Sequence, residues 1–255
     1  MTPAPELSDQ PAHASINRPE GGTGAMFDGI AARYDLVNRI ISLGLDQSWR
    51  VRTVDSLGLK DRREPSRVLD LATGTADLAL LLAERIPSAK IVGVDPSANM
   101  LAVGAKKVAA STAHDRIQLE LGSAEALPFP TGSFDGTTIA FGIRNVADRE
   151  KGLREMARVT RVGGKIAVLE LSEPRNGLLG PLARFHVHTL VPWVGALLSG
   201  AKEYRYLQKS IEAFPSEEEF RTVMENSDLV VEQVVPLFFG VAHLYVARPA
   251  RPHDV

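Results

Sequence analysis

Short apolar runs alternate with amphipathic stretches along most of this chain. Five runs rich in Val, Ile and Leu have the length of buried strands, and they predict strands at residues 67–71, 90–95, 117–121, 134–141 and 165–172. Several of the intervening segments repeat their apolar positions every three to four residues, which is typical of helices. The alternation predicts an α/β fold, in which helices cover both faces of a parallel sheet.

The helices are predicted from this periodicity and from residues that begin or end helices. Apolar spacing indicates helix over 26–59, broken at Gly44, and over 76–85. Three further helices are expected to follow N-cap residues, namely Ser97, Asp148 and Ser216. Their predicted ends are Ala110, Arg161 and Asn226. Gly163 and Gly164 predict a turn before the fifth strand.

Two more apolar runs, residues 229–237 and 241–247, follow the last predicted helix. They indicate an antiparallel pair that closes the sheet. A plain dinucleotide-binding fold lacks such a pair, whereas S-adenosylmethionine methyltransferases have a hairpin edge of this kind. The expected sheet therefore has seven strands and is mostly parallel, with an antiparallel hairpin at its C-terminal edge.

The composition restricts the functions open to the chain. Its 255 residues include 29 Lys and Arg against 31 Asp and Glu, which gives no indication of a nucleic-acid partner. The absence of cysteine excludes disulfides, thiolate zinc sites and cysteine nucleophiles, and it fits a cytoplasmic protein. Residues 1–25, rich in Pro, Ala, Gly and polar residues, are expected to be a disordered leader. A single domain is expected over 26–255, with an N-terminal helical cap at 26–60.

An apolar lid insertion is expected at 175–212. Its core, residues 178–198, is interrupted by Pro181, Arg184, His186, His188 and Pro192. A membrane-spanning helix needs about 20 mostly apolar residues, so this segment is better explained as amphipathic helices over a pocket or against a surface. Peripheral contact with the inner face of a membrane is one such arrangement, and association into a homodimer is left open.

The candidate site follows the first predicted strand, in the run VLDLATGTAD at 68–77. The strand ends near Asp70, and small residues around Gly74 and Thr75 let the backbone come close to a ligand. The second strand ends at Asp95, about 20 residues past Gly74, where a carboxylate can accept hydrogen bonds from ribose hydroxyls. This set of residues predicts a site for a cofactor that contains adenosine.

Two cofactors compete for this site. A dinucleotide fold uses a G-x-G-x-x-G loop, but here Gly74 stands between Ala72 and Ala76. S-adenosylmethionine has no phosphate, and the acids Asp70 and Asp77 suit its sulfonium charge. Asp77 alone is better explained as an acid in the first turn of a helix.

Five segments carry a resemblance to a known family. They are MFDGIAARYD at 26–35, AEALPFP at 124–130, FGIRNV at 141–146, RVTRVGGKIAVLELS at 158–172 and YLQKSI at 206–211. The chain resembles the ubiquinone/menaquinone biosynthesis C-methyltransferase family over residues 26–248, and within it most closely the demethylmenaquinone methyltransferases. The first and third segments are particular to these quinone enzymes.

The resemblance implies a class I S-adenosylmethionine-dependent methyltransferase with a Rossmann-like fold. The implied reaction is C-methylation of a reduced quinone ring, most closely demethylmenaquinol to menaquinol, with a lipophilic quinol as substrate and no metal. A ubiquinone precursor or another small aromatic acceptor is the first alternative. An NAD-dependent oxidoreductase is a more distant one.

Carried over by position, the resemblance implies cofactor contacts at Thr75, Asp95, Ser123, Ala124 and Ala140. The chain departs from the family's common residues at four positions, with Asp46 for His, Ala76 for Gly, Ser123 for Asn or Asp, and Ala140 for Ser.

The resemblance also suggests residues for the chemistry. The Arg144 guanidinium, beside Asn145, could stabilise a phenolate, and the alternative is a structural arginine paired with a loop acid. Tyr34 and Asp35 are expected to cover the cofactor or touch the quinol, and the alternative is a buried aromatic next to an exposed acid. His243 is expected to be structural.

Overall fold

A seven-stranded sheet forms the centre of the protein, in the order β3-β2-β1-β4-β5-β7-β6. The computed structural model describes residues 39, 42, 44–173 and 208–250. The strands are β1 (Ser66–Leu71), β2 (Ala89–Asp95), β3 (Ile117–Leu121), β4 (Phe134–Ala140), β5 (Thr160–Leu171), β6 (Leu229–Leu237) and β7 (Ala242–Pro249). The first five are parallel, and β7 is antiparallel to both β5 and β6. The predicted α/β fold with an antiparallel C-terminal edge is confirmed.

Helices connect the strands where the sequence places them. Their bounds are α1 (Asp46–Ser56), α2 (Asp77–Arg85), α3 (Ala98–Ala109), α4 (Arg149–Val159) and α5 (Glu217–Glu225). The three predicted N-caps are confirmed, because the side chains of Ser97, Asp148 and Ser216 each accept a backbone N–H from the first turn. Ser216 and Glu219 complete a capping box.

The predicted start of β5 is wrong. The strand begins at Thr160 rather than Lys165, and the helix before it ends at Val159 rather than Arg161. Thr160 is paired with Phe134 and Lys165 with Gly136, so β5 carries extra residues in a bulge. Gly163 has φ +81° there. Gly163 therefore marks a bulge within β5 and not the predicted turn before it.

The helices cover the two faces of the sheet separately. On one face α1, α2 and α3 bury residues such as Trp49, Leu82 and Val108. On the other, α4 and α5 bury residues such as Met156 and Phe220. Both faces are filled, which leaves the carboxyl ends of the parallel strands as the edge open to a ligand. No helix among the described residues is long and apolar enough to cross a membrane.

Candidate active site

The order of the strands reverses between β1 and β4. Chain connections leave β1 toward β2 and β3 on one side, and the later strands add on the other. In open parallel sheets, ligands bind outside the carboxyl ends of the strands at such a switch point. The ends of β1, β2 and β4 bring Asp70, Asp95 and Ala140 to this edge.

The carboxylate of Asp95 joins the ends of β1 and β2. One oxygen accepts the Gly74 N–H and the other accepts the Ser97 N–H, each at 2.8 Å. Asp95 is 6% exposed. These two bonds fix the orientation of the carboxylate at the ends of β1 and β2, where a ribose would bind.

The loop after β1 has an unusual backbone. Ala72 and Ala76 have positive φ angles of +49° and +67°. Phe141, which follows β4, also has a positive φ, of +57°. Side chains in this left-handed region are strained, and such strain is concentrated at functional sites. Position 76 is commonly glycine in the family that the chain resembles. The departure to Ala76 therefore marked, in the sequence, a position whose backbone is left-handed in the structure. A Cβ on Gly142 would lie 2.4 Å from the Cβ of Ala72, so the loops after β1 and β4 approach each other closely.

Asp70 lies beneath this loop. Its side chain is buried and accepts hydrogen bonds from the hydroxyls of Thr73 at 2.7 Å and Thr138 at 2.8 Å. Burial raises the pKa of Asp70 to about 6, against the opposing effects of both hydroxyls and of the Arg50 charge. The site therefore holds a carboxyl that gains its negative charge near neutral pH, and a cationic ligand would favour that charge.

Thr75 and Asp77 share one lysine partner. The Lys107 ammonium donates to the Thr75 hydroxyl at 3.0 Å and to the Asp77 carboxylate at 2.7 Å. Asp77 is thus the acid in the first turn of α2 with a lysine partner, which agrees with the structural alternative for this residue.

Ser123 and Ala124 follow β3, at the start of the AEALPFP segment. The Ser123 hydroxyl accepts the Glu125 N–H at 3.2 Å, and the side chain is exposed. Arg158 of α4 holds the segment from below, by donating to the carbonyls of Phe129 at 2.7 Å and Leu127 at 3.1 Å. The two segments of the resemblance at 124–130 and 158–172 therefore contact each other in space.

Arg144 lies in a short 3-10 turn after β4, Ile143–Asn145. Its guanidinium donates to the Glu170 carboxylate of β5 and to the Phe141 carbonyl, the latter at 2.8 Å. Its own backbone N–H donates to Glu170 at 3.0 Å. The two side chains are 3% and 0% exposed, so they form a buried ion pair. Asn145 ends the turn beside this pair.

Sequence reasoning missed Arg50 and Glu170. Arg50 of α1 is buried and lies over the Phe141 ring, 5.3 Å from its centroid. Arg50 lies in none of the five segments, and Glu170 lies in the 158–172 segment with no chemical role assigned to it, so only the tertiary contacts show their importance. His243 of β7 is buried and bonded to the Ser172 hydroxyl at 2.7 Å, and burial lowers its pKa.

Several predicted features lie outside the described residues. These are the leader at 1–25, Tyr34 and Asp35, and the apolar segment at 178–198. Among the described residues, no group of three His, Asp or Glu side chains is arranged to hold a metal ion.

The site fits an adenosine cofactor with a positively charged, non-phosphate arm. Asp95 offers acceptors to a ribose, the loop backbone approaches closely, and Asp70 supplies negative charge where a diphosphate would be repelled. Together with the hairpin edge, these features define an S-adenosylmethionine-dependent methyltransferase.

Comparison with known proteins agrees with this class. Residues 17–248 match the model of the ubiE/COQ5 methyltransferase family, and the chain belongs to that family. A Thermus thermophilus protein named demethylmenaquinone methyltransferase is 47% identical, over 88% of this chain and 100% of its own length. A Geobacter sulfurreducens protein named ubiquinone/menaquinone biosynthesis C-methyltransferase UbiE is 44% identical, over 88% and 86%.

Solved structures support the fold. A SAM-dependent methyltransferase from Aquifex aeolicus is 18% identical with a TM-score of 0.56, and the match covers 78% of this chain and 88% of that one. A complex of the Haloferax volcanii Trm112 activator with a methyltransferase gives a TM-score of 0.62 at 19% identity, over 88% and 98%. The predicted family, fold and cofactor, S-adenosylmethionine, are confirmed.

Proposed function

We propose that this methyltransferase transfers a methyl group from S-adenosylmethionine to a ring carbon of a reduced quinone, with demethylmenaquinol as the acceptor. The observation that carries the proposal is the 47% identity with a demethylmenaquinone methyltransferase along that relative's whole length. The FGIRN segment beside the cofactor edge supports it, since it belongs to the part of the resemblance that is particular to quinone enzymes.

The cofactor side uses residues at the ends of β1, β2, β3 and β4. Asp95 would bind the ribose, the backbone at Gly74 and Thr75 would line the cofactor, and Ser123 and Ala124 would lie beside the adenine. Asp70 would face the positive end of the cofactor, and Ala140 would touch it through backbone or van der Waals contact. When bound, S-adenosylmethionine supplies a methyl group already activated for transfer, so the protein's task is largely positioning.

The acceptor side must make a ring carbon nucleophilic. A hydroquinone gains this character when one hydroxyl loses its proton, because the negative charge spreads onto the ring. Arg144 and Asn145, at the end of β4, would stabilise that charge. Arg144 has a second role open to it, since its ion pair with Glu170 also holds the turn from Phe141 to Asn145 in place.

Tyr34 and Asp35 are proposed as further acceptor-side residues, on the resemblance alone. The apolar segment at 178–198 is proposed to receive the quinol's lipophilic tail and to bring the enzyme to the inner face of a membrane. We expect no nucleic-acid partner, and we propose a homodimer.

A ubiquinone precursor is the second candidate acceptor, because relatives at 43–44% identity are named for both quinones. The two are distinguished by giving the purified enzyme equal concentrations of reduced demethylmenaquinol and a reduced ubiquinone precursor in one reaction. Mass spectrometry then measures both methylated products. The proposal predicts that menaquinol, the product of demethylmenaquinol methylation, dominates, and predominant methylation of the ubiquinone precursor would overturn the choice of acceptor.

A further inference from the structure

Arg50 is a buried cation whose Nε lacks a hydrogen-bond partner in the part of the chain that the structure describes. Its side chain is 9% exposed. The nearest carboxylate oxygen, on Asp46, lies 3.6 Å from Nε, which is too long for a hydrogen bond. Asp46 itself accepts the Ser42 hydroxyl at 2.8 Å. Burying a guanidinium is costly unless its N–H groups are satisfied, so this arrangement is incomplete.

The position of Arg50 relates it to the cofactor edge. The residue lies over the ring of Phe141, which directly follows β4, and its charge lowers the pKa of Asp70 near the end of β1. β1 and β4 are adjacent strands, and Asp70 is paired with Thr138 across them. Arg50 thus lies over the switch point, on the opposite side of β1 from Asp95.

The shape of the cofactor agrees with this placement. With the ribose bound by Asp95 on the β2 side, the amino-acid arm of S-adenosylmethionine would reach toward β1 and β4, the next strands in the sheet. That arm ends in a zwitterion, with an ammonium group and a carboxylate. Asp70 provides negative charge for the cationic part, whereas Arg50 is a buried positive charge with an unsatisfied donor in the same region. Guanidinium groups bind carboxylates through paired hydrogen bonds.

We propose that Arg50 binds the carboxylate of the methionine part of the cofactor, an inference that rests on the proposed function. Helix α1 then acts as more than a cover for the sheet, since it supplies a cofactor-binding residue from outside the loops after β1 and β2. Trp49, whose ring contacts Phe141 at 6.4 Å between centroids, fixes α1 in the position this requires.

The test compares two ligands that differ in this carboxylate alone. Calorimetry measures the affinity of the full-length protein for S-adenosylmethionine and for decarboxylated S-adenosylmethionine. The variants are Arg50→Met, Arg50→Lys and the control Arg52→Met, which changes an exposed arginine of the same helix. Arg50→Met should weaken S-adenosylmethionine binding about tenfold to a hundredfold and change binding of the decarboxylated ligand by less than about threefold. The affinity of Arg50→Lys for S-adenosylmethionine should lie between those of Arg50→Met and the wild type. Arg52→Met should bind both ligands with wild-type affinity.

Equal weakening of both ligands, or no weakening of either, would overturn the role of Arg50. If Arg50→Met does not fold, the Arg50→Lys protein decides by the same comparison, because it keeps the charge and loses the paired donors. Failure of the proposed function is detected separately, by measuring methyl transfer to a quinol. Ligand discrimination by Arg50 without methyl transfer to a quinol would reject the acceptor alone, and quinol methylation without discrimination would reject the role of Arg50 alone.

Discussion

Arg144 and Glu170 form an ion pair that is sealed from solvent between the turn after β4 and the end of β5. Glu170 also accepts the backbone N–H groups of Arg144 and of Leu171. The pair therefore fixes the geometry of the FGIRN segment as well as placing a guanidinium there. Holding the FGIRN segment in place depends on the ion pair, whereas stabilising a phenolate depends on the charge of Arg144. Substitutions can therefore separate these two functions.

Replacement of Arg144 by Met should destabilise the protein by about 3–5 kcal/mol, because it leaves the Glu170 carboxylate buried without its partner. The double change Arg144→Met with Glu170→Gln removes both charges and should recover most of that loss in urea unfolding. Turnover of the double variant should stay reduced at least about a hundredfold, with cofactor affinity nearly unchanged. Recovery of turnover together with stability would show that Arg144 acts only by holding the turn.

Asp95→Ala should weaken S-adenosylmethionine binding by about 1–3 kcal/mol, since the carboxylate is proposed to bind the ribose and also orients the Gly74 N–H. Calorimetry with the cofactor measures the loss. Asp77→Ala is the control, because Asp77 is the acid in the first turn of α2 and is paired with Lys107. It should change affinity less than about threefold. An equal effect of the two changes would contradict the ribose role.

Asp70→Asn should make the cofactor-free protein more stable at neutral pH. The pKa of Asp70 is raised from 3.8 to about 6, so between these values the folded state holds a proton that the unfolded state has lost. Stability therefore falls as pH rises through this window, by about 3 kcal/mol once the pH is above 6. Asparagine keeps the shape without the charge, and it should also bind S-adenosylmethionine more weakly.

Urea unfolding at pH 4.5 and pH 7.5 measures this effect. The stability advantage of Asp70→Asn should be about 1–3 kcal/mol at pH 7.5 and much smaller at pH 4.5, where the wild-type carboxyl is largely protonated. A difference that does not change with pH would show that Asp70 is not charged at pH 7.5 or that its burial carries no cost.

Gly142→Ala should disrupt the close contact between the loops after β1 and β4. The added Cβ would lie 2.4 Å from the Cβ of Ala72, so the backbone on one side must move. We expect a loss of about 1–3 kcal/mol of stability and weaker binding of S-adenosylmethionine. Thermal unfolding with and without the cofactor measures both, and a variant with wild-type values in both would contradict the tight approach of the loops.

Elements bounded by clear local signals could be predicted from the sequence. Strands β3 and β6 have the bounds that the apolar runs predict, and Ser216 begins a helix because its capping partner Glu219 is three residues away. The bulge at Gly163 was missed because glycines of positive φ serve turns and bulges alike. A local signal of this kind does not say whether the chain reverses or continues in the sheet.

The site could be predicted only where strand ends mark it. Asp70 and Asp95 follow from apolar runs that end in acids. Arg50 could not be predicted as a site residue from the sequence. It is recognised by its burial against the ring of Phe141, which is distant in the sequence. The pairing of Arg144 with a strand acid 26 residues away also depends on how β4 and β5 align.

The most direct test of the account follows a labelled methyl group from S-adenosylmethionine into a quinone ring. The purified enzyme is given demethylmenaquinone in its reduced form and, in a parallel reaction, in its oxidised form, and mass spectrometry with fragmentation locates the label. The account predicts label on a ring carbon of the reduced acceptor and none on the oxidised one, which has no hydroxyl to become a phenolate. Cofactor binding without transfer to the quinol, or equal transfer to both forms, would contradict it.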